Sequence, residues 1–118
     1  MRTKFTKNVR LQNADQFDCV FKKGRRITSP HFAIFYYANN LPNPRLGVVA
    51  AKKNLAHAVA RNTFKRVVRE SFRSNQNKLG NFDIIVFAYR NSADLTKAEL
   101  RKCLDKQLEK LMQRLPSL

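Results

Sequence analysis

The chain predicts an α+β fold: a single-domain α/β sandwich with about four strands in a mixed sheet, three helices, and a strand-helix-strand crossover. Three observations lead there. Runs such as HFAIFYYA (31–38), RLGVVAA (45–51) and FDIIVFAY (82–89) have strand length and are bounded by turn residues or charges. Two further stretches carry helix start and stop signals, and between the last two strands lies a segment with helical periodicity. At 118 residues and 43% hydrophobic content the chain suits one domain, 1–118, with a modest core.

In order along the chain, Met1 to Leu11 is basic, with Arg2, Lys4, Lys7 and Arg10, and shows little periodicity. It reads as a flexible or extended arm able to lie along phosphates, or as a plain disordered tail. It has no apolar h-region or small-residue cleavage site, so no secretory signal is expected. Asn13 to Lys23 follows as a helix, with Asn13 as N-cap, Gln16 three residues on, Asp15 and Asp18 early, Lys22 and Lys23 late, and Gly24 as the C′ residue. Phe17, Val20 and Phe21 share one face of it. Both rings can be simple core anchors, and Val20 gives an anchor without requiring both.

A short strand near Arg25 to Thr28 is only weakly signalled. His31 to Ala38 alternates Phe32, Ile34 and Tyr36 against Ala33, Phe35 and Tyr37, so both sides of this strand must be covered. Asn39 to Pro44 is turn-forming, and Arg45 to Ala51 has the small apolar residues of a central strand. Ser74 to Asn81 is a polar connection to the strand Phe82 to Tyr89. The last helix has Thr96 as N-cap, Glu99 at N3, and Leu95 with Leu100 as the hydrophobic staple. Leu100, Cys103, Leu104, Leu108, Leu111 and Leu115 form its stripe, Pro116 closes it, and Asp105 and Glu109 mix with bases as on a solvated face.

The segment Lys52 to Arg73, KKNLAHAVARNTFKRVVRESFR, organises the rest. Lys52, Lys53, Arg61, Lys65, Arg66, Arg69 and Arg73 stand against a single acid, Glu70. On a helix, Arg61, Lys65, Arg69 and Arg73 make one i, i+4 row flanked by Asn62 and Arg66, while Ala60, Phe64, Val67, Val68 and Phe72 fall on the other side. Each like-charge pair costs an isolated helix roughly 0.2 to 0.5 kcal/mol. Solvated faces normally mix signs, so this one points to a polyanion. The whole chain agrees: 24 Lys plus Arg against 8 Asp plus Glu leave +16, with a pI near 10.7, the footprint of a nucleic-acid partner. An anionic membrane surface is the weaker rival, because no apolar segment approaches the length of a span.

The run Ala60-Arg61-Asn62-Thr63-Phe64-Lys65-Arg66-Val67-Val68-Arg69-Glu70, preceded by Lys52-Lys53, resembles the signature helix of the bacterial ribonuclease P protein subunit. That family's pattern is Arg-Asn-Arg, then Lys-Arg, then Arg with Glu or Gln; Thr63 stands where the third member is usually Arg. The resemblance extends over essentially the whole chain, including the FxxxF of Phe17 and Phe21. It implies RNA contact by Lys52, Lys53, Arg61, Asn62, Lys65, Arg66, Arg69 and Arg73. It also implies a cleft for the 5′ leader of precursor tRNA at Phe17, Phe21 and Phe35, with Ala33, Phe35 and Tyr37 on the cleft side of their strand. A left-handed crossover is implied too, against the usual right-handed rule.

Autonomous phosphodiester cleavage would need clustered carboxylates for metal ions, or a paired acid and base. The acids are Asp15, Asp18, Glu70, Asp83, Asp94, Glu99, Asp105 and Glu109, with no DxD or HExxH pattern. The resemblance supplies the catalyst: the RNA subunit, using Mg2+ bound mainly by that RNA, with the protein inactive alone. The implied partners are that catalytic RNA and precursor tRNA, without a membrane or an obligate protein partner. Cys19 and Cys103 lack CxxC spacing and His31 and His57 lack metal-ligand spacing, which suits free thiols in a reducing, cytoplasmic setting. The competing expectation is a structural, ribosomal-type RNA-binding protein without a leader cleft.

Overall fold

The computed structural model describes residues 10–114; the expectations for residues 1–9, Leu115 and Pro116 lie outside them. Helix α1, Ala14–Lys23, starts where the sequence places it. Asn13 Oδ1 accepts from the Gln16 amide at 2.9 Å and Gln16 Oε1 accepts from the Asn13 amide at 3.3 Å, a reciprocal capping box. Gly24 ends the helix in extended geometry, φ −81 and ψ 173, rather than the left-handed conformation common at C′. Space, not φ, selects glycine there: a Cβ would lie 2.4 Å from the Val20 carbonyl oxygen and 2.6 Å from that of Tyr36.

Strands β1, Arg25–Thr28, β2, Phe32–Ala38, β3, Arg45–Val49, and β4, Phe82–Ala88, form one mixed sheet in the order β1-β2-β4-β3. The weakly signalled β1 is real, paired antiparallel to β2 with Ile27 opposite Ile34. β2 and β4 are antiparallel with Phe35 opposite Ile85, and β3 runs parallel to β4 with Gly47 opposite Ile85. The parallel pair is joined through helix α2, Ala58–Asn75, which gives the expected strand-helix-strand unit. Helix α3, Lys97–Arg114, begins with Thr96 and Glu99 in a second capping box: the Thr96 amide donates to Glu99 Oε1 at 2.9 Å and the Glu99 amide to Thr96 Oγ1 at 3.1 Å.

The two faces of the sheet separate the residues of β2 as their alternation requires. Phe32, Ile34 and Tyr36, with Leu46, Ile84 and Val86, pack under α2 and α3 through Phe64, Val67, Val68, Phe72, Leu100, Leu104, Leu108 and Leu111. The opposite face carries α1: Val20, Ile85 and Leu11 are buried there, with Phe17, Phe35, Tyr37 and Val49 packed around them. Leu79, inside the connection read as polar, is fully buried in the larger core.

Two acids have structural partners that the sequence concealed. Asp83 is buried, and its carboxylate accepts from Arg45 Nε at 2.8 Å and Nη2 at 2.7 Å, with Asn39 Nδ2 at 2.9 Å. The Asp83 hydrogen bonds push the Arg45 guanidinium pKa up from its ordinary value. This bidentate pair joins the directly opposed residues at the start of the parallel ladder. Asp105 keeps the solvated position expected of it, with its side chain 44% exposed, and also accepts from the Ser71 hydroxyl and from Arg101 Nε at 3.1 Å. The reason is Ser71: it is fully buried in α2, and a buried hydroxyl needs a partner.

Two expectations follow. A Cβ at Gly47 would lie 2.6 Å from the Phe17 ring, so Gly47→Ala should destabilise the protein by roughly 1 to 3 kcal/mol. Adding Phe17→Leu should return part of that loss in a urea-denaturation cycle; strictly additive effects would show that the ring does not press on Gly47. The hydrogen bonds from Thr96 lower the Glu99 pKa from the usual 4.5. The associated stability is therefore present above about pH 4.5 and lost as pH falls through the lowered value. Thermal melts of Glu99→Gln between pH 2.5 and 7 should show a shallower acid loss than the parent.

Candidate nucleic-acid interface

Helix α2 forms because its stripe of Phe64, Val67, Val68 and Phe72 is buried, which fixes the helix rotation and sends the basic positions outward. Asn62, Arg66 and Arg73 are exposed, Lys65 and Arg69 half-buried. With Glu70 they line an open groove of about 620 Å³. Glu70 Oε2 lies 3.9 Å from Arg101 Nη1 of α3, so the one acid of the groove faces a cation of its own. No acidic residue occupies the first turn of α2, and the His57 side chain makes no capping bond.

Lys52 and Lys53 are exposed on the turn that follows β3. The turn is held from three sides. The Asn54 and Leu55 amides donate to the Ala51 carbonyl at 3.0 and 2.9 Å, Asn54 Nδ2 donates to the Ala88 carbonyl at 3.0 Å, and Leu55 is buried in the core. Arg61 completes it: its Nη1 donates to the carbonyls of Leu55 and Ala56, both at 2.9 Å. Arg61 therefore acts as a strut between α2 and the Lys52-Lys53 turn. Sequence reading missed this, because the bond closes a loop whose path is set by Leu55. Thr63 lines a small cavity with Phe64, Ser92, Leu95 and Lys97 at the start of α3, away from the cationic groove.

The three aromatic candidates come together on the α1 face of the sheet. Phe21 and Phe35 meet edge to face with centroids 4.8 Å apart, and Phe21 remains 37% exposed, unusual for a ring that serves only as an anchor. Phe17 is half-buried over Gly47, while Val20 between them is fully buried and supplies the anchor. A cavity of about 200 Å³ is lined by Arg10, Leu11, Phe17, Gly47, Lys65 and Arg69, among others. Lys65 and Arg69 also line the larger groove, so the cationic groove borders the Phe17 side of the aromatic face. Phe17 reaches that junction only because residue 47 has no side chain.

Among the described residues no three His, Cys, Asp or Glu side chains gather as metal donors, and no helix is long and apolar enough to cross a membrane. Cys19 and Cys103 are free thiols. Asp83, Glu99 and Asp105 are committed to Arg45, to the α3 cap and to Ser71 with Arg101.

The chain matches the family model described as Ribonuclease P over residues 5–112. It is 43% identical over 107 residues to the ribonuclease P protein component of Vibrio campbellii, covering 91% of each chain. With the corresponding protein of Aliivibrio fischeri the identity is 40% over 111 residues, covering 94% of this chain and 95% of that one. Among solved structures it resembles the RNase P protein of Staphylococcus aureus, with a TM-score of 0.82 at 29% identity over 87% of this chain and 94% of that one. It also resembles that of Thermotoga maritima, with a TM-score of 0.74 at 28% identity over 92% and 98%.

The two arginine roles are separable. Arg61→Ala should lower stability by roughly 1 to 3 kcal/mol, since charged hydrogen bonds to two carbonyls are lost, and should speed amide exchange in the Lys52-Lys53 turn. Arg66→Ala, fully on the exposed face, should leave the urea midpoint nearly unchanged. Equal midpoints for both variants would remove the strut role of Arg61.

Proposed function

Since the chain belongs to the ribonuclease P protein family, we propose that it binds the catalytic RNA of that ribonucleoprotein together with the 5′ leader of precursor tRNA, supporting removal of the leader. The observation that carries the reading is that Lys65 and Arg69 line both the cationic groove and the cavity at Phe17, on the edge of the aromatic face. Asn62, Lys65, Arg66, Arg69 and Arg73, with Lys52 and Lys53 on their braced turn, neutralise phosphates where RNA strands converge. Phe21 and Phe35, with Phe17 at the junction, offer flat surfaces on which unpaired bases of any identity stack. Specificity then comes from binding energy at the leader.

Bond cleavage in this reading belongs to the RNA subunit, with magnesium held mainly by that RNA in the cytoplasm. Three of the acids have other tasks that fit this division of labour, Glu99 in a cap, Asp83 in a sheet lock and Asp105 in a helix-helix link. The protein contributes binding and positioning, and no step of the chemistry runs through its side chains.

A cleavage assay at low magnesium tests the reading, with protein alone, a bacterial ribonuclease P RNA alone, and both together. Activity at the mature 5′ end only in the mixture is the expected result; cleavage by protein alone overturns it. In the mixture, Phe21→Ala should reduce the preference for leader-bearing over leaderless tRNA by roughly five- to 150-fold, the equivalent of one lost stack. Arg66→Ala should weaken RNA binding and make its salt dependence shallower by about one unit of log-log slope. Equal binding of both tRNA forms by the parent protein would favour a structural RNA-binding role.

A further inference from the structure

The sheet edge remote from β3 carries a second cationic-aromatic pocket. It is about 370 Å³, within the range of small-molecule sites, and is lined by Lys23, Arg25, Tyr36, Phe82 and Arg114, with the backbone of Gly24 in its wall. It shares no residue with the groove along α2 or with the Phe17 cavity. Its charged residues are all cations, and they arrive from three different elements: the end of α1, the start of β1 and the end of α3.

The convergence has a structural cause but no evident structural benefit. Lys23 and Arg114 each lie in the last turn of a helix, where a cation complements the helix dipole. That accounts for each cation separately and not for the presence of both beside Arg25. Gly24 brings them together: without a Cβ, the end of α1 lies directly against the Tyr36 carbonyl. Arg25 stands opposite Tyr36 in the β1-β2 ladder, which places the two side chains on one face of the sheet. Half-buried Phe82 then forms the aromatic floor, backed by the buried Tyr36 ring with centroids 6.3 Å apart and ring planes 55° from each other. Three cations beside a half-open aromatic ring, with no acid in the lining, are matched to a ligand that combines phosphate and a flat ring.

We propose that this pocket is a second RNA-binding site, in which an unpaired nucleotide seats its base against the open side of Phe82 while Lys23, Arg25 and Arg114 hold the adjoining phosphates. It rests on the reading of the protein as an RNA-binding subunit and adds a contact at the opposite edge of the sheet. Bound RNA would then be held from both edges of the sheet, by β1 and the helix ends on one side and by α2 on the other. The strand involved is single, because a duplex cannot present a base face to the floor.

The test uses the full chain reconstituted with a bacterial ribonuclease P RNA, comparing the parent, the double variant Arg25→Ala/Arg114→Ala, Phe82→Leu and Arg66→Ala. Hydroxyl-radical footprints and binding constants are measured across a salt series, with circular-dichroism melts to confirm folding. The double variant should make the salt slope shallower by roughly 1.4 to 1.8, two phosphate contacts' worth, and should expose an RNA segment different from the one exposed by Arg66→Ala. Phe82→Leu should expose the same segment as the double variant with little change of slope. If the folded double variant keeps the parental slope and footprint while Arg66→Ala alters both, the second site is wrong and the α2 interface stands. If no variant alters either, the RNA-binding reading fails and this site with it.

Discussion

Burial of the apolar stripe of α2 is the interaction on which the rest depends. Phe64, Val67, Val68 and Phe72 are nearly inaccessible between the sheet and α3, each worth about 1.5 to 3 kcal/mol. Against this, the repulsion along Lys65, Arg69 and Arg73 costs about 0.2 to 0.5 kcal/mol per pair. Burial wins by an order of magnitude, so the helix can hold a row of like charges that would weaken it in isolation. The same burial joins β3 to β4 in parallel and sets the rotation that presents Arg66 and Arg73 to solvent. A functional surface is thus a by-product of how the core closes.

The opposite face is built by close approach rather than by volume. Gly47 lets Phe17 settle on β3, and Gly24 lets the end of α1 settle on β2. Between these two contacts α1 is fixed along the sheet, with Val20 buried and Phe21 left partly open beside Phe35. The Arg45-Asp83 pair locks the register of β3 on β4, and that register puts Gly47 beside Ile85 beneath α1. The aromatic face therefore inherits its geometry from a buried ion pair and two missing side chains.

Much of this was legible in the chain. The capping boxes at Asn13 and Thr96 depend on side chains three residues apart, so both helix starts could be read directly. The stripe and the cationic row of α2 follow from 3.6-residue periodicity, and the strands β2, β3 and β4 from apolar runs of the right length. The motif also located the groove, since Asn62, Lys65, Arg66, Arg69 and Arg73 share a surface whenever that segment is helical. Local spacing was enough because each of these features closes within one or two turns of chain.

What escaped the sequence was long-range. Asp105, on its solvated face, also serves Ser71, 34 positions away. Arg61 looked like one more member of the row and is tied to Leu55 and Ala56. Leu79 was hidden in a polar connection and is fully buried, and Gly24 is required for space, not for a left-handed turn. Local spacing along the chain fixes the helices, the principal strands and the cationic face, and the motif on α2 marks the family. The tertiary contacts set which charges brace the fold and bring the groove alongside the aromatic face, because those outcomes turn on distances between segments that no local spacing encodes.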